Sequence, residues 1–547
     1  MPLEGSAQVV GELASRGYNA EREAVTLIET ADDPGETLRV VVDSVPADTL
    51  KITAANVREV RESLEGGATS SSRRTGAGTG TTAGATDAAS TPDERSDAPE
   101  EPSELDTQQP DEDPLVSTGD SSTDSTVGDA APVETGGSFE RKIDEALRSV
   151  EIAGDVTGQS TGTGEYKNFV SVFRDRYEKL SSKLRGRVNH RPTSTIESMT
   201  GGSEVALVGM VNDVRSTASG HWLVELEDTK GTFPCLVMKD RPLAGLVDEL
   251  LCDEVIAIEG TLSDDAGIVF VDSLHFPDVP RTYEPSYADR HVQAALISDV
   301  HVGSQEFMAD EWDQFCTWLH GPQAEHVEYL CIAGDMVEGV GVYPNQDEEL
   351  DVVDIYEQYE AFNEKLKQVP GDLDIVMIPG NHDAVRLAEP QPGFDDRLRD
   401  IMSAHDPQIT GNPSTVTLEG VDILMYHGVS LDEVIAELPA DKASYDEPHK
   451  AMYHLLKKRH VAPQYGGHTR LAPEEKDYLV IENVPDIFHT GHVHKLGFGK
   501  YHNVLAINSG CWQSQTDFQK SVNIDPDAGF APIVDLDTLD VTVRKFS

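Results

Sequence analysis

The sequence predicts an α/β domain of the α+β sandwich kind over residues 290–547, preceded by a small β-barrel over residues 201–285. Two observations carry this. Short apolar runs at 294–297, 329–333, 375–378, 423–426 and 487–490 are each followed by a cluster of Gly, Asp, Asn or His. Such runs read as buried strands, and the polar clusters fall at strand ends, where α/β sheets place their sites. Residues 203–280 instead carry short strand-like segments at 205–214, 222–226, 233–237, 255–260 and 268–271, separated by turn residues at 217–220, 228–231 and 263–267. That punctuation predicts an OB-fold barrel.

Upstream, residues 1–63 hold Val9, Val10, Leu13, Leu27, Ile28, residues 40–42, Leu50, Ile52 and Val57, enough apolar content for a small helical domain that reads as a tethered interaction module. Residues 64–138 are dominated by Ser, Thr, Gly, Ala, Asp, Glu and Pro, and are expected to form a disordered acidic linker. Residues 139–200 read as a helical segment. Phe169, Phe173, Tyr177, Leu180 and Leu184 recur at intervals of three and four, and Arg174, Arg176, Lys179, Lys183, Arg185, Arg187, His190 and Arg191 crowd the same stretch. The pattern predicts an amphipathic helix with a basic outer face, a solvated surface by default and a nucleic-acid or acidic-partner contact otherwise. In the barrel, Trp222 and Phe233 are the aromatic candidates for base stacking, although subunit contact is the preferred role for this domain.

A chain of 547 residues with 38% apolar content supports several cores. No apolar run approaches the roughly 18 residues that span a bilayer, and charged residues interrupt the first thirty, so no membrane association and a cytoplasmic location are expected. The five cysteines form no C-x-x-C pair and indicate neither a disulfide framework nor a zinc knuckle. The formal net charge of -55, from 98 acidic against 43 basic side chains, argues at first against nucleic-acid binding. Its even spread fits halophilic adaptation to a salt-rich cytoplasm instead, where salt screens long-range repulsion and local patches decide.

The chemistry is concentrated in Asp299-Val-His301, Gly334-Asp335, Gly380-Asn381-His382-Asp383, His427-Gly428 and Gly491-His492-Val493-His494. Imidazoles, carboxylates and one amide oxygen suit Mn²⁺, Fe²⁺, Zn²⁺ or Ni²⁺, whereas all-oxygen sets suit Mg²⁺ or Ca²⁺. The constellation resembles the calcineurin-like metallophosphoesterase superfamily. The resemblance implies two divalent metal ions, Mn²⁺ first among the candidates, with Asp299, His301, Asp335 and His494 on one and Asp335, Asn381, His427 and His492 on the other. It leaves His382 as the catalytic residue facing the leaving oxygen.

Two departures bear on the substrate. Where the superfamily's protein phosphatases carry an Asp that orients the catalytic His and an Arg that grips phosphate, this sequence has Glu338 and Gly339. Glu338 is the candidate to hold His382. Asp383 matches the superfamily's nucleases, which points to phosphodiester cleavage, and Arg386 and Arg470 are the candidates to supply the missing cation, with surface ion pairs as their alternative role. With the barrel placed before the sandwich, and with residues 380–386, 389–392 and 484–494, the chain from about residue 140 resembles the small subunits of archaeal family D DNA polymerases. That resemblance implies a 3′→5′ exonuclease acting on single-stranded 3′ ends of DNA, in a heterodimer with a large catalytic polymerase subunit. A catalytically silent structural subunit and a small-molecule phosphodiesterase or phosphatase are the competing expectations.

Overall fold

A computed structural model describes residues 145–546 other than 344–345, 468 and 522–523, together with 127–129, 141, 143 and parts of 9–61. They belong to two compact units, Met1–Asp113 and Pro114–Ser547. The first contains helices Arg22–Glu29 and Pro34–Ser44 and a parallel pair, β1 (Asn19–Ala20) with β2 (Lys51–Ile52). Its core is Val9, Leu13, Val25, Ile28, Leu38, Val41, Ile52 and Val57. Most of the acidic stretch expected to be a disordered linker lies outside the described residues. Its segment β3 (Val127–Asp129), however, pairs parallel to a C-terminal strand. Main-chain hydrogen bonds supply that pairing, so it leaves no side-chain signature.

The second unit continues with β4 (Val150–Ala153), helix Tyr166–Arg185 and five strands: β5 (Glu204–Ser216), β6 (Trp222–Asp228), β7 (Gly231–Val237), β8 (Val255–Leu262) and β9 (Val269–His275). They close into a barrel in the order β5-β6-β7-β9-β8. Alternate residues point inward, so Val224, Leu226, Phe233, Cys235, Ile256 and Ile258 fill it. Phe233 is therefore core, and Trp222 packs partly buried against that core.

The remaining strands are β10 (Gln293–Ile297), β11 (Val327–Ala333), β12 (Asp374–Ile378), β13 (Gln408–Ile409), β14 (Ser414–Leu418), β15 (Val421–Met425), β16 (Ile487–Thr490), β17 (Leu496–Tyr501), β18 (Val504–Ser509), β19 (Phe530–Asp535) and β20 (Asp540–Lys545). They build a seven-stranded sheet, β13-β12-β11-β10-β19-β20-β3, and a six-stranded sheet, β17-β18-β16-β15-β14-β4. Alternation assigns the faces. Ala294, Leu296, Cys331, Val376 and Ile378 meet Val416, Ile423, Met425, Ile487 and Ile507 between the sheets. Ala295, Ile297, Ile332 and Met377 turn outward onto helices Ala309–Leu319 and Ile355–Leu366, through Trp312, Phe315, Tyr359 and Phe362. Leu424, Tyr426, Phe488 and Ala506 likewise carry helices Ser430–Glu437 and Pro448–Lys458 on the second sheet. The result is a four-layered α/β/β/α sandwich. Among the described residues no helix is long and apolar enough to cross a membrane.

The helix Tyr166–Arg185 presents only part of the basic outer face expected of it: Arg174 and Arg185 are exposed, while the other cations are drawn inward or paired. Arg176 is buried with its Nε 2.7 Å from Asp477 Oδ2, Lys179 pairs with Asp175 and Glu482, and Arg187 donates to the carbonyls of Phe276 and Pro277. In so acidic a protein these cations bind helix, barrel and sandwich together. Lys458 with Glu254, and Lys457 and Lys442 with Glu249, tie the barrel to helix Pro448–Lys458 in the same way.

Candidate metal centre

Each predicted ligand sits just past the carboxyl end of a strand: Asp299 and His301 after β10, Asp335 after β11, Asn381 after β12, His427 after β15, His492 and His494 after β16. These five strands are parallel within their sheets, β10 to β12 in one and β15 with β16 in the other. Their ends therefore bring ligands from both sheets to one edge of the sandwich. The approach is close enough to require glycine: a Cβ added at Gly380 would overlap Asp335 Oδ1, and one at Gly491 would overlap Asp299 Oδ2. Asp299, His301, Asp335, His492 and His494 all adopt left-handed backbone, at φ of 53°, 54°, 53°, 72° and 54°. Residues other than glycine adopt this conformation uncommonly, Asp and His more readily than most, so five together mark a constrained site.

The side chains converge with imidazole nitrogens and carboxylate oxygens at close range. His301 Nε2 lies 3.0 Å from His494 Nε2 and 3.8 Å from both Asp299 Oδ1 and Asp335 Oδ2. His494 Nε2 is 3.5 Å from Asp299 Oδ1. Nearby, His427 Nδ1 is 2.8 Å from the Ala333 carbonyl, which can only accept, so Nδ1 carries the proton. In the neutral ring Nε2 is then bare, and it faces Asn381 Oδ1 at 2.9 Å and Asp335 Oδ2 at 3.2 Å, both acceptors. Such a cluster calls for a cation. Burial disfavours protonation of His427, yet the Asp335 carboxylate overrides it and raises its pKa to about 10. Burial also opposes ionisation of Asp335, and His427 and His382 still hold its carboxyl well below the usual range. The donor set thus fits divalent ions, for which these imidazoles would have to be neutral.

Outer contacts orient the set. Glu338 Oε2 lies 2.8 Å from His301 Nδ1, Gln519 Nε2 is 2.9 Å from His494 Nδ1, and Asp432 Oδ2 is 3.1 Å from His492 Nε2, leaving His492 Nδ1 unoccupied by that contact. Tyr343, Gln346 and Gln513 donate to the Glu338 carboxylate. Burial opposes its ionisation, but His301 draws its pKa down to about 2. Asp383 is buried and accepts from the N–H groups of Asp335 and Gly380, each at 2.9 Å, and from the Tyr359 hydroxyl, also at 2.9 Å. It fixes the loops after β11 and β12 against each other. Burial and the neighbouring Asp335 push its pKa up to about 7.

Three expectations change. The Glu338 carboxylate is on His301 and stands 3.9 Å from His382; it is the Glu338 main-chain carbonyl, 2.7 Å away, that holds His382 Nδ1. Arg386, the candidate phosphate-binding cation, lies in irregular chain, where its guanidinium is spent on the carbonyls of Ala388 and Pro390, on Ser160 and on Glu474. Arg470 is exposed. Neither arginine lines the cleft of about 160 Å³ over the cluster, whose walls include His301, Asp335, His382, His492 and His494. Sequence reasoning missed Asp432, Gln513 and Gln519, which lie on loops and short helices without periodicity.

Residues 294–498 match the family of B subunits of DNA polymerases alpha and epsilon. Over all 547 residues the chain is 62% identical to the DNA polymerase II small subunit of Halobacterium salinarum, covering 100% of both chains. It is 43% identical over 401 residues to the DNA polymerase II small subunit of Archaeoglobus fulgidus, covering 71% of this chain and 80% of that one. For the counterpart from Pyrococcus furiosus the identity is 38% over 394 residues, covering 69% and 64%.

Proposed function

The chain belongs to the family of DNA polymerase II small subunits, and on that premise we propose that it is the 3′→5′ exonuclease of a heterodimer whose large subunit carries the polymerase. In this reading the barrel is an OB fold and the sandwich a calcineurin-like phosphoesterase domain. Asp299, His301, Asp335 and His494 hold one divalent ion, and Asp335, Asn381, His427 and His492 the other, with Mn²⁺ the first candidate. The single observation that carries the reading is the crowding of His427 Nε2 against Asn381 Oδ1 at 2.9 Å and Asp335 Oδ2 at 3.2 Å, a buried place for positive charge that a proton fills in the free protein and a divalent ion would fill in its stead.

Bound ions would supply a nucleophilic oxygen from water at neutral pH and neutralise charge on phosphate. The chain's own residues do the rest. His382, half-buried on the cleft wall, has Nδ1 fixed on the Glu338 carbonyl, so Nε2 is the atom left to hold or deliver a proton at the leaving 3′ oxygen. The small cleft admits an unpaired end more readily than a duplex, so mismatched primers are preferred because a frayed end costs less to deliver.

The test is cleavage of a labelled 3′-mismatched primer by the chain reconstituted with its large subunit in high salt and Mn²⁺. Removing one general acid or base costs about 10²- to 10⁴-fold, the loss expected for His382→Ala, and Asp335→Ala should abolish turnover. Cleavage that survives both substitutions overturns the site. No cleavage in the wild-type complex favours a purely structural subunit.

A further inference from the structure

The cleft wall has a feature the metal chemistry does not use. Tyr343 and Phe518 lie on the rim with ring centroids 4.9 Å apart and planes at 24°, a stacked pair. Tyr343 is pinned by hydrogen bonds from its hydroxyl to Glu338 Oε1 at 3.1 Å and Glu349 Oε2 at 3.2 Å, and its ring centroid is 6.3 Å from that of His382. Phe518 rests on this fixed ring and is 44% exposed, far more than a core phenylalanine. Tyr445, 40% exposed, stands on the same cleft with its hydroxyl donating to Asp432.

The charges around it point the same way. The described residues lining the cleft include Asp335, Glu338 and Asp432 but no Lys or Arg, and the groove on the other side of Phe518 is walled by Glu306, Glu348, Glu349 and Asp517. Lys520, the cation on the same short helix as Phe518, is paired with Asp517. No described side chain of this lining can neutralise the phosphates of a strand that enters here, and such neutralisation is the usual, salt-sensitive source of affinity. Stacking on an aromatic face needs no counter-charge and tolerates any base.

We propose that Phe518, seated on Tyr343, is the stacking platform for a nucleobase at the 3′ end of a single strand, so that base stacking rather than phosphate contact selects the substrate. This rests on the nuclease reading above and names its base subsite. It differs from that reading in needing no metal.

The probe is a single strand with 2-aminopurine as its 3′-terminal base, titrated into the complex of the full chain with its large subunit, without divalent ions so that no cleavage occurs. Wild-type protein quenches the fluorophore. Phe518→Leu, which keeps an apolar side chain without a ring, loses most of that quenching and weakens binding roughly 5- to 150-fold, the range for one stacked base at about 1–3 kcal/mol. Phe518→Trp restores both, and the salt dependence of binding is the same with and without the ring. Equal quenching and affinity for wild type and Phe518→Leu overturn the platform. Primer cleavage in Mn²⁺ is read separately: quenching that depends on Phe518 in a complex that cuts nothing supports the platform and sinks the nuclease, while cleavage without Phe518-dependent quenching does the reverse.

Discussion

Asp383→Asn tests how much of the centre depends on a residue that touches no ion. The carboxylate receives the Asp335 and Gly380 N–H groups on Oδ2 and the Tyr359 hydroxyl on Oδ1, all at 2.9 Å, and the Met336 N–H at 3.4 Å. An amide keeps one acceptor oxygen. Turned towards the two backbone donors, it sets its NH₂ against the Tyr359 hydroxyl, whose oxygen already accepts from the Ala384 N–H. At least one buried donor then loses its partner, which costs about 1–3 kcal/mol, and the opposite orientation strands two or more. The loops carrying Asp335 and Asn381 lose their common anchor, so Mn²⁺ affinity should fall about 10- to 100-fold, as it does for outer partners of metal ligands. Denaturant titration in high salt and calorimetric Mn²⁺ titration measure the two effects. Tyr359→Phe removes the same hydroxyl contact but also strands the Ala384 N–H that its oxygen accepts, so in the Asp383→Asn background it should add less than it costs alone. Wild-type stability and Mn²⁺ affinity in Asp383→Asn, or fully additive losses in the double variant, would refute the anchoring role.

Arg176→Ala should cost about 3 kcal/mol by breaking a buried ion pair, with Asp477 left to His460 and the Leu479 N–H, and Arg176→Lys should recover part of it; denaturation midpoints decide. His454 is buried near Lys458 and Lys457, and burial first, then those cations, lowers its pKa to about 4. The unfolded chain therefore binds a proton below about pH 6.5 that the folded protein takes up only near pH 4, so stability is lost as pH is lowered through that window, by about 2 kcal/mol at pH 5. His454→Gln should flatten the pH dependence of unfolding between pH 7 and 4, and an unchanged slope would count against this. Gly491→Ala forces a methyl onto Asp299 and Ser298, and should lower Mn²⁺ affinity at least tenfold with secondary structure by circular dichroism intact.

The strands of the sandwich were legible because those buried on both faces are unbroken apolar runs, such as residues 329–333 and 375–378, and the ligands were legible because they follow such runs in a fixed order. Barrel strands showed through their punctuation by turns. On the basic helix it was Arg176 that misled, because periodicity reports where apolar residues point and says nothing of whether a distant acid, here Asp477, buries an intervening arginine. Glu338 was found for the wrong contact, since main chain and side chain of one residue serve two histidines. Phe518 and Gln519 lie far along the chain from the residues they face, and only the closed sandwich edge brings them together.

The left-handed backbone at Asp299, His301, Asp335, His492 and His494 carries a consequence for how this scaffold changes over time. At each of these five positions glycine would sit more comfortably, by roughly 1 kcal/mol apiece, and asparagine by less, since Asp and His already tolerate this conformation better than most. Folding stability and the ligand set are in opposition there. Once a lineage no longer needs the reaction, mutations that discard these side chains are favoured rather than merely tolerated, and the site erodes quickly while the sandwich grows firmer. A library randomised at these positions and selected only for thermal resistance would run that history in the laboratory, enriching glycine and asparagine where this chain keeps aspartate and histidine.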